Sequence, residues 1–296
     1  MQIAPHRQGI REVEHIGSQF TRGQIAVTSA RNAAAGTHLD FAHVLADISG
    51  AAILPYFRKP LVVKNKAGLS GFDPVTDADR AAERAIREAL LQRFPDHGIV
   101  GEEFGAIAAK GRYRWLIDPI DGTRAFITGS PLWGTLIGLM DGARPALGVM
   151  NQPFTGERFW SNGRQAHWRA PTGKVHRIRT RACAQLGDAI LTTTHPDMFA
   201  STADAERFDA MRSRVRMTRY GGDCYGYCLL AAGFIDIIVE AGLKAYDIVP
   251  LVPIIEGAGG VITTWDGEPA FEGGRIVAAG DKRVHTQAMA ILRGAG

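Results

Sequence analysis

Four carboxylates in this chain close apolar or aromatic segments: Glu102 after "GIVG", Asp118 and Asp121 at the end of "WLIDPID", and Asp247 in "AYD". Carboxylates leaving the ends of neighbouring strands can converge on one point. Crowded together in ionised form they repel by several kcal/mol unless a cation neutralises them. Hard oxygen ligands with no supporting His or Cys cluster select Mg²⁺, or Mn²⁺ as its stand-in, over zinc. In Asp118-Pro119-Ile120-Asp121 the proline stiffens the turn, so both carboxylates can face one cavity together with the Ile120 carbonyl. Gly122 lets a ligand approach the backbone, and Thr123 supplies a hydroxyl able to orient a water. Read alone, the stretch is also an ordinary turn, because Asp-Pro and Asp-Gly are common turn dipeptides. Asp77 and Asp79 equally suit the acidic first turn of a helix, and Glu102 beside Glu103 suits a solvated loop.

The elements that must hold these groups follow from hydrophobic periodicity. Phe41, Val44, Leu45, Ile48, Ala52 and Ile53 recur at helical intervals and end near Pro55. A second helix follows "DPVTDAD": Ala82, Ala85, Ile86, Ala89, Leu90 and Phe94 form one stripe, with Arg80, Glu83, Arg84, Arg87 and Glu88 on the wet side. "GIVGEEFG", "YRWLIDPI", "WGTLIGLM" and "DGARPALGVMNQP" read as strands. Beyond about residue 180 come a strand at "AILTTT", a helix from about Phe199 to Met211, a helix over Cys224 to Ala232, a strand at "DIIVE", helical "DIVPLVPIIEGAGG" and a closing helix after Asp281. Alternation of this kind predicts a mixed α/β, layered architecture without short internal repeats.

At 296 residues and 46% hydrophobic content, the chain can bury a full core as one large domain or two intimate halves. Its net charge of +4 is small, and the basic residues are spread rather than interleaved with exposed aromatics, which argues against nucleic acid as a partner. Three cysteines, Cys183, Cys224 and Cys228, are too few and too unevenly placed for a disulfide framework, so a reducing, cytoplasmic setting fits. No apolar stretch approaches the roughly 20 residues of a membrane helix. Residues 1–36 are polar and aperiodic, and are expected to form an unstructured extension.

The combination of "DPVTDAD", "GIVGEE", "WLIDPIDGT" and "AYDIVPLVPIIEGAGG" resembles the inositol monophosphatase family of Mg²⁺-dependent, lithium-sensitive phosphatases, over about residues 38 to 293. More narrowly, "DGTRAFITGSPLWGTLIGL" and "GGDCYGYCLLAAGFIDIIVEAGLKAYD" look like its histidinol-phosphate phosphatase branch. Arg124 and Ala125 stand where members acting on inositol phosphates usually have Thr-Asn, and Gly221-Gly222-Asp223 stands where they usually have Gly-Thr-Ala. A carboxylate at 223 suits a cationic amino alcohol better than a neutral polyol.

The resemblance implies an αβαβα sandwich. One half, 37–180, would carry most metal ligands, and the other, 181–296, would supply Asp247 and substrate contacts. It implies two to three Mg²⁺ ions per subunit. Glu102, Asp118 and the Ile120 carbonyl hold the first; Asp118, Asp121 and Asp247 the second; Glu102, with waters steadied by Asp79 and Asp77, a weaker third. Thr123 would orient the attacking water. Gly122 and Thr123 would present backbone amides to the phosphate, and Gly222, Asp223 and Glu240, with Asp121 and Asp247, would line the substrate pocket. Lys66, before the "AGLSGFD" loop, approaches the metal site on this reading, and Arg219 is either a pocket or an interface residue. The expected assembly is a homodimer acting on a small phosphorylated metabolite. Inositol phosphates and sugar bisphosphates remain the competing substrates. A non-catalytic binding role is disfavoured, since it has no need of the intact set Glu102, Asp118, Asp121, Thr123 and Asp247.

Overall fold

The computed structural model describes residues 37–66 and 74–294. The extension expected over 1–36 and the loop after Lys66 lie outside them. Helix α1 (His38–Ile53) starts from a capping box, in which the Thr37 hydroxyl accepts from the Asp40 amide and the Asp40 carboxylate accepts from the Thr37 amide. A short antiparallel pair, β1 (Val63–Asn65) and β2 (Pro74–Thr76), leads into α2 (Asp77–Arg93), capped in the same way by Thr76 and Asp79. Next come β3 (Gly98–Gly101), β4 (Gly105–Ile107), β5 (Tyr113–Asp121), the short α3 (Thr123–Ile127), β6 (Gly134–Asp141), β7 (Arg144–Gln152), β8 (Glu157–Ser161), β9 (Ala166–Arg169) and β10 (Val175–Arg177). Strands β3 to β10 form an eight-stranded sheet in the order β10-β9-β8-β7-β6-β5-β3-β4, antiparallel except where β3 runs parallel to β5.

The chain continues through β11 (Ile190–Thr193), α4 (Thr202–Arg212), β12 (Met217–Tyr220), α5 (Asp223–Ala231), β13 (Ile237–Leu243), α6 (Ala245–Ile248), α7 (Leu251–Gly257), β14 (Val261–Thr264), β15 (Gly274–Ala279) and α8 (Lys282–Leu292). Its five strands form a second sheet, β12-β11-β13-β15-β14, parallel around β11 and antiparallel around β15.

Packing orders these elements into five layers, as expected. Phe41 and Leu45 of α1 and Ile86 and Leu90 of α2 bury against Ile117, Ile137 and Val149 on one face of the first sheet. On its other face, Leu136 and Met150 meet Cys224 and Cys228 of α5 and Ile254 and Ile255 of α7, which in turn cover Ile238 and Ala278 of the second sheet. Phe208 and Met211 of α4 with Val284, Ala288 and Ile291 of α8 seal its outer face. The middle layer is seated by a close approach. A Cβ on Gly148 would lie 1.7 Å from the Pro250 carbonyl oxygen, so only glycine lets the α6–α7 joint rest on β7.

Three expectations are corrected. Helix α4 starts at Thr202 rather than Phe199, because Pro196–Met198 forms a separate turn and Ser201 caps the helix through its hydroxyl. "DIVPLVPIIEGAGG" is two helices, α6 and α7, interrupted at Pro250, which lacks the N–H a continuous helix would use. Glu83 and Arg87, assigned to the wet face of α2, are buried as an ion pair with Nε–Oε1 2.7 Å.

Candidate active site

Strand β5 delivers two of the four carboxylates through a bulge. Asp118 pairs with Leu136 and Asp121 with Gly134, so β5 advances from 118 to 121 while β6 advances only from 136 to 134. In an unbroken strand, residues three apart point to opposite faces; one extra residue reverses that parity and turns Asp118 and Asp121 to the same side. The bulge also explains how Pro119, with no N–H for the ladder, is tolerated in an interior strand. The Ile120 amide donates to Asp118 Oδ1 at 3.0 Å, tightening the turn. Asp247 arrives from the first turn of α6, where its carboxylate accepts from the Lys244 amide at 2.7 Å.

Oxygen atoms of Asp118, Asp121 and Asp247 all lie within 4.8 Å of one another. Burial pushes all three acids up, and neighbouring carboxylates add to it: Asp118 feels Glu102, Asp121 and Asp247, Asp247 feels Asp121 and Glu102, and Asp121, pushed up to about 8, feels Asp223 and is partly relieved by the Cys224 amide donating to it at 2.6 Å. Three carboxylates that resist ionisation, Asp118 buried and Asp121 and Asp247 half-buried, are satisfied by protons or by a hard cation, and an all-oxygen donor set fits Mg²⁺. They line a cavity of about 450 Å³ together with Lys66, Glu102, Ile120, Gly122, Thr123, Lys244 and Tyr246.

Glu102 thus lines the cavity without joining the tight aspartate trio. Its Oε1 accepts from Lys66 Nζ at 2.7 Å, and the same ammonium reaches Glu103 Oε1 at 2.8 Å. Burial works against the Lys66 charge, but those two bonds outweigh it and raise its pKa. Thr123 begins α3, and its hydroxyl donates to the Ile120 carbonyl at 3.1 Å. Asp79 is buried and lines neither this cavity nor the recess beside it. One of its oxygens accepts from the Thr76 amide and hydroxyl, the other has no partner among the described residues, and burial pushes it up to about 6. Asp77 is exposed at the start of α2.

A second, narrower recess of about 50 Å³ shares Asp121 and Asp247 with the first and runs on to Thr194, Met198, Asp223, Tyr227, Glu240 and Leu251. Asp223 opens α5 after Gly222, and burial, then repulsion from Glu240, push it up to about 7 against the pull of Arg124. Glu240 is buried on β13, where Thr194 donates to it through amide and hydroxyl and Tyr227 through its phenol. Arg219 stands exposed on edge strand β12 and lines neither recess.

Two supporting residues escaped sequence reasoning. Glu83 accepts from the Glu103 and Phe104 amides at 2.7 and 3.2 Å, fixing the turn that presents Glu102. Thr194 anchors Glu240. Neither sits in a motif; the only signal was a carboxylate on a helix and a threonine at a strand end.

Residues 37–295 match the inositol monophosphatase family. The chain belongs to that family. It is 43% identical over 262 residues to "Bifunctional phosphatase IMPL2, chloroplastic" of Arabidopsis thaliana, covering 84% of this chain and 73% of that protein. It is 34% identical to a histidinol-phosphatase of Streptomyces coelicolor over 86% of this chain and 96% of that protein. A solved inositol monophosphatase from Zymomonas mobilis superposes with a TM-score of 0.75 at 43% identity, covering 85% of this chain and 96% of that one. The chain is accordingly a phosphoric monoester hydrolase of a metal-dependent family acting on small phosphorylated substrates. Among the described residues no helix is long and apolar enough to cross a membrane.

Proposed function

We propose that this phosphatase hydrolyses L-histidinol phosphate to L-histidinol and phosphate, a step of histidine biosynthesis, and that it does so as a cytoplasmic homodimer. Asp118, Asp121 and Asp247, with Glu102 and the Ile120 carbonyl, would hold two to three Mg²⁺ ions. Bound there, Mg²⁺ supplies positive charge that polarises the phosphoryl group and stabilises the attacking and leaving oxygens. Thr123 commits its proton to the Ile120 carbonyl, which leaves its oxygen to accept from a water and aim it at phosphorus. Gly122 and Thr123 offer amides to the phosphate.

The observation that carries the substrate reading is the narrow recess beside the aspartate trio. It joins two carboxylates, Asp223 and Glu240, to apolar walls from Met198, Leu243 and Leu251. That pairing suits a leaving group with an ammonium and a flat ring, and suits a neutral polyol poorly. Relatives named histidinol-phosphatase support it; the likeness to an inositol monophosphatase structure favours inositol 1-phosphate as the competing substrate.

Turnover of histidinol phosphate and inositol 1-phosphate, measured side by side at saturating Mg²⁺, tests this. Histidinol phosphate is expected to have the higher kcat/KM. Asp223→Asn should lower that value 10- to 100-fold, since a charge-assisted hydrogen bond contributes roughly 1.5–3 kcal/mol. Hydrolysis of p-nitrophenyl phosphate should change little. An equal fall on both substrates would assign Asp223 to the metal site or the fold and sink the substrate reading.

A further inference from the structure

The bulge that turns Asp118 and Asp121 to one side breaks the β5–β6 ladder at Pro119, an interior position where a backbone carbonyl needs a donor. Thr135 stands on β6 between the two paired positions, Leu136 and Gly134. Its hydroxyl donates to the Pro119 carbonyl at 2.8 Å. Behind it, 2.7 Å away, lies the hydroxyl of Ser49 on α1, and both side chains are fully buried. Thr135 has a single proton and has given it to Pro119, so Ser49 is the donor in the second bond. The chain Ser49–Thr135–Pro119 therefore runs from the outer helix layer, through the first sheet, to the residue between the two aspartates.

Nothing about β6 as a strand asks for a hydroxyl at 135. Valine has nearly the same shape and suits a buried strand at least as well. The polar group is explained by what it touches, a buried carbonyl at the point where the β5–β6 register shifts.

We propose that the Thr135 hydroxyl, held by Ser49, is a positioning group for the metal site: it fixes the β5 bulge and with it the shared facing of Asp118 and Asp121. Thr135 touches no substrate or metal and acts only through Pro119. Without its proton the buried Pro119 carbonyl loses this hydrogen bond, and the bulge is less firmly held on β5. Ligand oxygens must be held within about half an ångström for a site to work, so a small shift is felt in cation affinity before the fold is lost. The inference rests on the reading of the aspartate trio as a Mg²⁺ site.

The test measures Mg²⁺ binding by calorimetry on the full chain, and kcat for p-nitrophenyl phosphate at saturating Mg²⁺, for wild type, Thr135→Val, Thr135→Ser and Asp118→Asn. Thr135→Val should weaken Mg²⁺ binding about tenfold, ~1.4 kcal/mol, and lower kcat even at saturation. Thr135→Ser, which keeps the donor, should stay within about threefold of wild type. Wild-type Mg²⁺ affinity and kcat in Thr135→Val, whatever its melting temperature, would overturn the proposal. So would an equal loss in Thr135→Ser, which would make the methyl group the cause. If Thr135→Val does not fold, Ser49→Ala loosens Thr135 without removing it and should weaken Mg²⁺ binding by roughly threefold; unchanged affinity there would also overturn the idea. Asp118→Asn isolates the underlying reading. Wild-type Mg²⁺ binding in that variant would mean the trio is not the metal site, independently of Thr135.

Discussion

Asp118 sits where single-atom chemistry decides most. It is buried, it repels Glu102, Asp121 and Asp247, and its neighbours on β5 and β6 are packed apolar residues. Asp118→Asn keeps the shape while removing an acid whose ionisation the crowded cluster opposes. The Mg²⁺-free variant should therefore melt at or above the wild-type temperature, while Mg²⁺-dependent turnover falls below about a tenth of wild type, because metal charge supplies several kcal/mol of transition-state stabilisation. Melting curves in EDTA and turnover at saturating Mg²⁺ check the two halves separately; retained activity would remove Asp118 from the metal site. The carboxylates were legible in sequence because "DPIDGT", "GEE" and "AYD" each place an acid where an apolar run stops. Their supports were not. Ser49 lies 86 residues from Thr135, and Glu83 lies 20 residues from the amide it holds, so only the fold brings them together. Asp79 shows the converse. An acid three residues after Thr76 is what a capping box requires, and that is the bond it makes, although its second oxygen is buried with no partner among the described residues.

Between β5 and α3 the chain turns on Gly122, whose φ is +87°. A Cβ there would lie 2.9 Å from the Leu132 carbonyl oxygen and 3.2 Å from the Asp223 side chain. The left-handed conformation alone costs a non-glycine residue about 1–2 kcal/mol, and the backbone carbonyl cannot move aside as a side chain tip would. Gly122→Ala should lose at least that much stability in urea denaturation. It should also lower kcat more than tenfold, because α3 and Thr123 must shift to make room. Near-native stability with unchanged kcat would mean the turn is not constrained as the geometry requires. The remaining elements divide by how they bury. Helices α1, α2 and α8 and strands β3, β5, β6 and β7 carry apolar periodicity or continuous apolar runs and could be read directly. Strands β8 to β10 and β12 could not. In β8 the charged Glu157 and Arg158 are buried because Trp168 and Tyr225 donate to one and Asp47 receives the other, partners that no local pattern announces. Strand β12 is a short edge with mostly exposed residues, which leaves no alternation to detect.

For the molecule as a whole, the cluster couples stability to protons and, as the proposed Mg²⁺ site, would couple it to magnesium as well. Asp121 is pushed up to about 8, and Asp118 and Asp247 are raised by burial and by neighbouring carboxylates, Glu102 and Asp121 among them, against a value near 3.9 in the unfolded chain. An acid with a raised folded pKa holds its proton longer in the native state, so its stabilising share is complete below the unfolded value and is lost as pH climbs toward the folded one. His43 works in the opposite sense. Burial, then Arg158, lower it to about 4, so stability is lost as pH falls from about 6.5 toward 4. The two effects oppose each other below about pH 6.5, and above it only the acids remain. In EDTA the melting temperature should therefore decline from pH 6.5 to 8. On the proposed assignment Mg²⁺ would bind the deprotonated carboxylates and displace their protons, so its stabilisation should grow over the same interval as competition from protons fades. Melting temperatures with EDTA and with a fixed excess of Mg²⁺, taken every half unit from pH 6.5 to 8, measure the gap directly. A gap that widens with pH in wild type and flattens in Asp118→Asn ties the linkage to this cluster; a gap independent of pH would mean that Mg²⁺ stabilises the protein from somewhere other than the aspartate trio.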